Sequence, residues 1–230
     1  ISEKGWARVR QGHGLDLSGV VFKDGDRAGS AQECRSVDSL VILSTEGRAF
    51  TVAVASLPDG RGMGAPLSSF VDLGAGKIAH VLTGLPEEQL LVAKTSGYGF
   101  VCTYADLLSR QKAGKAFLSV EDGATVLPPV RLAGKDHLAA LSEDGRLLIF
   151  PLEQMKRLSA GKGVQLIALR EGESLRAAVA TLGARVTIKG TVRNRIKTLL
   201  SEERHCGLRA RRGSPVGQLG NVMLEACPEP

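Results

Sequence analysis

Leu90–Val120 reads LLVAKTSGYGFVCTYADLLSRQKAGKAFLSV, and its three parts recur in the same order along most of the 230-residue chain. The first part predicts a β-hairpin. Leu90-Leu91-Val92-Ala93 is a short apolar run, Ser96-Gly97 punctuates it, and Phe100-Val101-Cys102-Thr103-Tyr104 is a β-branched and aromatic run beyond the turn. Ala105 to Ala113 is a polar connection carrying Arg110 and Lys112, and it ends at Gly114-Lys115. Ala116-Phe117-Leu118-Ser119-Val120 predicts another strand, closed by the turn Glu121-Asp122-Gly123. One such unit cannot bury its own apolar face, so several must stack.

Three markers carry the repeat along the chain. The first is a glycine at a hairpin tip, followed by a strand: Gly5, Gly47, Gly97, Gly145 and, more weakly, Gly183 in LGARVTI. Their spacings are 47−5 = 42, 97−47 = 50, 145−97 = 48 and 183−145 = 38, near the ~40 to 50 residues of blade-type β repeats. The second is a glycine-basic segment after each hairpin: RQGHG (Arg10 to Gly14), GRGMG (Gly60 to Gly64), KAGKA (Lys112 to Ala116), AGKG (Ala160 to Gly163) and RARRG (Arg209 to Gly213). The third is a turn glycine past the next strand, at Gly25, Gly76, Gly123 and Gly172. Three markers in phase predict an all-β fold, a propeller-like disc of about five blades whose ring is open or closed. The only helical turns expected lie around Asp106-Leu107-Leu108, Glu153-Gln154-Met155 and Ile196 to Glu203.

Composition agrees. Hydrophobic residues at 43% supply a core, while 28 Gly and only 4% aromatics favour a turn-rich protein built on Leu, Val and Ala. No Pro-rich or Ser/Gly-rich linker divides the sequence, which predicts a single domain over residues 1–230 with a frayed tail at 226–230. The first residue, Ile1, already sits inside a hairpin pattern, so the chain reads as a piece of a longer polypeptide. No apolar run approaches the ~18 residues of a membrane span, and no signal peptide opens the sequence. Cys34, Cys102, Cys206 and Cys227 form no CxxC pair, which fits a reducing cytoplasm.

The sequence offers no converging catalytic set. His13, His80, His137 and His205 fall in different parts of the repeat, without a cysteine or carboxylate at metal-ligand spacing, so neither a metal, a cofactor nor a catalytic residue is expected. AGKG and AGKA put lysine beside glycine but lack the Walker spacing. A backbone that turns tightly at glycine and points cations outward is the simpler reading. Lys+Arg 30 against Asp+Glu 24 gives a net charge of +6, a moderate excess that tilts the expected partner toward a polyanion. The phased cations are Arg10, Arg61, Arg110, Lys112, Lys115, Lys156, Arg157, Lys162, Arg209, Arg211 and Arg212. Together they predict a rim that follows the phosphates of a bent double-stranded DNA without reading bases. Trp6 and Tyr98 each follow a hairpin glycine and are expected to pack within blades rather than stack on bases. The alternative is a propeller-like protein-interaction scaffold with no direct DNA role, which predicts an apolar patch on a disc face.

These residues resemble the C-terminal DNA-binding domain of bacterial type IIA topoisomerase A subunits, including that of topoisomerase IV. Gly97 to Val120 (GYGFVCTYADLLSRQKAGKAFLSV) carries the resemblance, and GRGMGAPL, LPPVRL, EDGRLLIFPLEQMKRLSAGKG and KGWARVRQGHGLD support it. The resemblance implies a β-pinwheel, in which propeller-like blades exchange strands, with an outer edge that binds and bends duplex DNA. It implies that the catalytic tyrosine and ATP site lie outside this chain, and that the partners are the ATPase B subunit plus a second A subunit in a heterotetramer of the bacterial cytoplasm. The related gyrase domain carries a box of glutamine, two arginines, three glycines and a lysine. No segment here fulfils it; Arg211-Arg212-Gly213 is the closest remnant, and Lys112 to Ala116 and Ala160 to Gly163 are shorter ones. That departure implies the topoisomerase IV role, positioning a bent segment for relaxation and decatenation, rather than gyrase-like introduction of negative supercoils.

Overall fold

The computed structural model describes residues 1–14, 19–60, 62–193, 195–217 and 219–226. Arg61, Cys227 and the expected frayed tail beyond Ala226 lie outside the described residues. In chain order the strands are β1 (Trp6–Ala7), β2 (Ser39–Ser44), β3 (Arg48–Ala53), β4 (Ala65–Pro66), β5 (Ile78–Thr83), β6 (Gln89–Ala93), β7 (Tyr98–Thr103), β8 (Lys115–Ala116) and β9 (Val130–Arg131). They continue with β10 (His137–Ser142), β11 (Arg146–Pro151), β12 (Val164–Gln165), β13 (Leu175–Thr181), β14 (Val186–Val192), β15 (Arg195–Leu200), β16 (Ser214–Pro215) and β17 (Gly220–Ala226). Among the described residues there is no α-helix, and no helix long and apolar enough to cross a membrane.

The sheets show how the repeat closes its blades. Their orders are β1-β4, β5-β2-β3-β8, β12-β7-β6-β9, β13-β10-β11-β16 and β15-β14-β17. In each four-stranded sheet the central pair is a hairpin turning at Gly47, Gly97 or Gly145, all with positive φ. One flank comes from the segment after the hairpin. The other is a two-residue strand donated from far downstream: Lys115 pairs with Ala49, Val164 with Gly99 and Ser214 with Leu147. Strand exchange of this kind makes the fold a β-pinwheel of propeller-type blades.

The chain forms two compact units, Ile1–Glu87 with Tyr104–Phe117 and Glu88–Thr103 with Leu118–Pro230. The first holds the sheets of β1 and β2; its core gathers Ile42, Phe50, Val52, Val54 and Leu67. Tyr104 is buried there and its hydroxyl donates to the carbonyls of Ser39 (2.6 Å) and Leu82 (3.1 Å). The second unit holds the other three sheets. Its β10 and β11 show why central strands read as unbroken apolar runs. Leu138, Ala140, Leu148 and Phe150 pack on one side with Leu91 and Val101, while Ala139, Leu141, Leu147 and Ile149 pack on the other with Val186, Ile188 and Leu224. A strand with alternate side chains in two cores has no solvent face, so polar alternation disappears.

Three expectations need correction. Gly183 does not close a hairpin: β13 pairs with β10, while β14 pairs with β15 and β17, so the glycine turns the chain from one blade to the next. The last hairpin turns between Val192 and Arg195, which face one another. The distance of Arg193 from Gly145, 193−145 = 48, restores the period. Ile196 to Glu203 is not a helical turn; Arg195–Leu200 is β15, held to β14 over its whole length, and only Glu203–His205 forms a 3-10 turn. The expected strand from Ala116 to Val120 shortens to β8, because the donated segment meets only the first two residues of its host strand. The helical turns expected near Asp106 and Glu153 are present as 3-10 turns, Tyr104–Leu107 and Leu152–Gln154.

Candidate nucleic-acid interface

After each hairpin the chain makes a 3-10 turn and runs back along the preceding blade. The amide of Val9 donates to Pro58 O (2.9 Å), that of Val101 to Lys156 O (2.9 Å) and that of Gly207 to Ile149 O (2.9 Å). Each connection then reaches a glycine one residue ahead of the donated strand: Gly64, Gly114, Gly163 and Gly213. Their spacings are 114−64 = 50, 163−114 = 49 and 213−163 = 50, the most regular in the chain. At Gly114 (φ +64°) a Cβ would lie 2.7 Å from Ala49 O, and at Gly213 (φ +69°) 2.7 Å from Leu147 O. Gly64 and Gly163 press closer still on Ala7 O and Gly99 O. One glycine in each of the last four glycine-basic segments therefore serves strand exchange, and the cations around them must be judged one at a time.

Some cations hold the fold. Arg209 donates from Nε to Gln154 O (2.9 Å) and from Nη1 to Gln165 O (2.6 Å), bracing the connection that leads to β16. Arg212 donates from Nη1 to Glu173 Oε2 (2.7 Å) and to Ala168 O (3.1 Å), and Glu173 is only 2% exposed. Burial pushes the Glu173 carboxyl up, but the Arg170 amide, Ser142 and Arg212 together outweigh it and leave its pKa below the ordinary value. Lys162 sits 3.4 Å from Glu121 and over the Tyr98 ring, 4.6 Å from its centroid. Reading sequence alone also missed the arginines that clamp donated segments. Arg48 donates to Ala113 O (2.7 Å) and Gly114 O (3.0 Å), Arg146 to Gly213 O (3.1 Å), and Arg8 to Gly62 O and Val21 O.

The remaining candidates point away from the protein. Arg10, Arg110, Lys112, Lys156, Arg157 and Arg211 are exposed, and Lys115 is half-buried on β8. Among the described residues none of their side chains has a hydrogen bond or ion pair. Arg110 and Lys112 share one connection, Lys156 and Arg157 the next, and Arg211 a third. A further free group was missed: Arg193, Arg195 and Lys197, exposed at the β14–β15 hairpin. The alternation Arg195-Ile196-Lys197 carried that signal, but the helical expectation concealed it. Trp6 and Tyr98 are not bare stacking platforms, since Lys23 lies 3.5 Å from the Trp6 centroid and Lys162 covers Tyr98. No group of three or more His, Cys, Asp or Glu residues assembles among the described residues.

Comparison with known proteins agrees with this strand-exchanged architecture. The family described as DNA gyrase C-terminal domain, beta-propeller, matches residues 136–181. The solved C-terminal domain of ParC from E. coli superposes with a TM-score of 0.89 at 33% identity, covering 98% of this chain and 96% of that one. The chain belongs to the family of C-terminal domains of ParC, the topoisomerase IV A protein. Its counterpart in Neisseria gonorrhoeae, the A subunit of DNA topoisomerase 4, is 40% identical over 185 residues, which are 76% of this chain and 24% of that protein. The chain thus spans about a quarter of the length of the curated relatives it matches. A gyrase A C-terminal domain structure, 20% identical with a TM-score of 0.68, shares the fold. Within the ParC family, then, the glycine-basic segments of this chain divide into braced cations and free ones.

Proposed function

We propose that this domain binds double-stranded DNA through the free cations of its blade connections and bends it. In the full-length protein, joined by the ATPase B subunit plus a second A subunit, it would present that DNA for strand passage in relaxation and decatenation in the bacterial cytoplasm. One observation carries the reading: exposed cations without side-chain partners among the described residues recur on successive connections, at Arg110/Lys112, Lys156/Arg157 and Arg211, in step with the fold. Groups of this kind attract phosphates at no cost in broken internal bonds. They read no sequence, because guanidinium and ammonium groups on surface loops meet the backbone first. Such a series of contacts suits bending, since contacts spaced along a duplex offset the few kcal/mol, about 1 to 6, of a smooth bend. No gyrase-type box is needed for that.

Salt titration tests the proposal. Affinity for a short duplex should fall linearly on a log-log plot, with a slope of about −0.9 for each neutralised phosphate, and a doubly end-labelled duplex should show its ends drawn together on binding. Binding no tighter than that of a neutral control protein at low salt would sink it. A protein-interaction scaffold, the alternative, requires that duplex affinity be indifferent to the free cations.

A further inference from the structure

The hairpin of β6 and β7 departs from its siblings at two places that face one another. Where three other turns begin with Ser2, Ser44 or Ser142, each accepting an amide proton from the residue four positions on, this one has Lys94. Where two siblings have Arg48 and Arg146, it has Tyr98. Lys94 is fully buried, a costly place for an ammonium unless it is paired. Its Nζ donates to Ser119 O and to Glu121, 2.8 Å from Oε1 and 2.7 Å from Oε2. Glu121 also accepts from Ser96 Oγ at 3.2 Å. On its exposed side the same carboxylate reaches Lys162, 3.4 Å away, at the position that precedes the donated strand's glycine. Glu121 is 42% exposed and Lys162 57%.

The sibling blades show that this acid-to-cation contact is a recurrent device. Arg212 occupies the place of Lys162 one repeat later, and it too meets an acid from the turn glycine's loop, Glu173. The earlier repeat has Ala113 at that place and a turn, Gly74-Ala75-Gly76, without an acid. The two contacts differ in accessibility. Glu173 is buried and its arginine is committed, whereas Glu121 is partly open to solvent and is held from the protein side by Lys94 and Ser96.

We propose that Glu121 is an intramolecular competitor for phosphate: anchored by buried Lys94, it caps Lys162 and must yield that lysine before it can meet the DNA backbone. The inference rests on the duplex-binding reading above, and it makes Lys162 a latent contact. An exposed carboxylate–ammonium pair is worth little, so the cap sets a modest threshold. The hydrogen bond from Lys94, with help from Ser96, holds the Glu121 carboxyl down at about 2, so the cap stays charged at every physiological pH.

A mutant cycle on this chain, read by duplex affinity as a function of salt, decides the matter. Glu121→Gln should raise affinity about threefold and steepen the log-log slope by about 0.9, one extra phosphate. Lys162→Gln should weaken binding several-fold in the Glu121→Gln background and by less than half of that factor in the wild type. A mere change of net charge would raise affinity equally with and without Lys162, and that outcome would overturn the proposal, as would an unchanged slope. Because Glu121→Gln strands buried Lys94 and can loosen the blade, the cycle is repeated with Lys94→Met/Glu121→Gln, which removes both partners as a unit. The same coupling to Lys162 is expected there, and its absence is equally decisive. If the wild-type chain binds no duplex, the underlying reading has failed; if it binds without coupling, only the cap has.

Discussion

Gly114 carries more of this fold than any charged residue beside it. It combines a left-handed backbone with a Cβ position 2.6 Å from Phe50 Cδ1 and 2.7 Å from Ala49 O. Gly114→Ala should therefore cost about 2 to 3 kcal/mol, the left-handed penalty plus the displacement of host strand and ring. Gly123, equally left-handed at +78° but with nothing within 4 Å of its Cβ position, should cost about 1 kcal/mol on the same change. Chemical denaturation of the two variants checks the difference. Glu121 gives a second residue-scale expectation. Its folded pKa is depressed from 4.5 to about 2, so the stability it contributes is fully present above about 4.5 and is lost as pH falls toward 2. Lys94→Met/Glu121→Gln should lose part of the wild-type drop in thermal midpoint across that window. Glycine spacing was legible because positive φ leaves few alternatives to glycine. The commitments of Arg209 and Arg212 were not, since their partners Gln154, Gln165 and Glu173 lie tens of residues away and carry no spacing signal.

At the scale of the element, the donated strands obey a register rule that sequence alone did not reveal. Residues Pro66, Ala116, Gln165 and Pro215 face Trp6, Arg48, Tyr98 and Arg146. The next residue's amide donates to the hairpin glycine, as from Phe117 to Gly47 O (3.1 Å) and from Val216 to Gly145 O (3.0 Å). In an antiparallel pair this places the N–H of the proline-bearing position away from the host, and an edge strand accepts proline there. Ala116→Pro and Gln165→Pro should thus melt within about 1 kcal/mol of the wild type, whereas Lys115→Pro should cost about 3 kcal/mol because it removes a ladder donor. Thermal melts followed by circular dichroism separate them. Hairpins and 3-10 turns were readable because their signals are local. The donated strands were not, because two residues are too few to show a period and their hosts lie far back in the chain, Lys115 pairing with Ala49, Val164 with Gly99 and Ser214 with Leu147. The last hairpin was misread for a related reason: the glycine of LGARVTI imitates a hairpin tip, while the true turn, between Val192 and Arg195, begins with Arg193 in a left-handed conformation (φ 49°).

For the whole molecule, the division between braced and free cations turns a general basic excess into a test with an internal control. A net charge of +6 would by itself draw any polyanion, and removing any two cations would then weaken binding alike. Local contact predicts otherwise. Arg110→Gln/Lys112→Gln and Lys156→Gln/Arg157→Gln each remove two free cations from one connection. Each pair should flatten the salt slope by up to about 1.8, at about 0.9 per phosphate, and leave the melting temperature unchanged, since exposed charges without partners contribute little to stability. Arg209→Gln/Arg146→Gln removes the same charge from guanidiniums that brace β16 and its connection. That pair should lower stability by about 2 to 4 kcal/mol, from hydrogen bonds to carbonyls left without donors, yet leave the slope within about 0.5 of the wild type under conditions where the variant is folded. Duplex titrations at several salt concentrations, paired with melts, read both quantities on every variant. Equal slope changes in the free and the braced sets would mean that the duplex responds to charge in bulk, and the connections would then have no special claim on it.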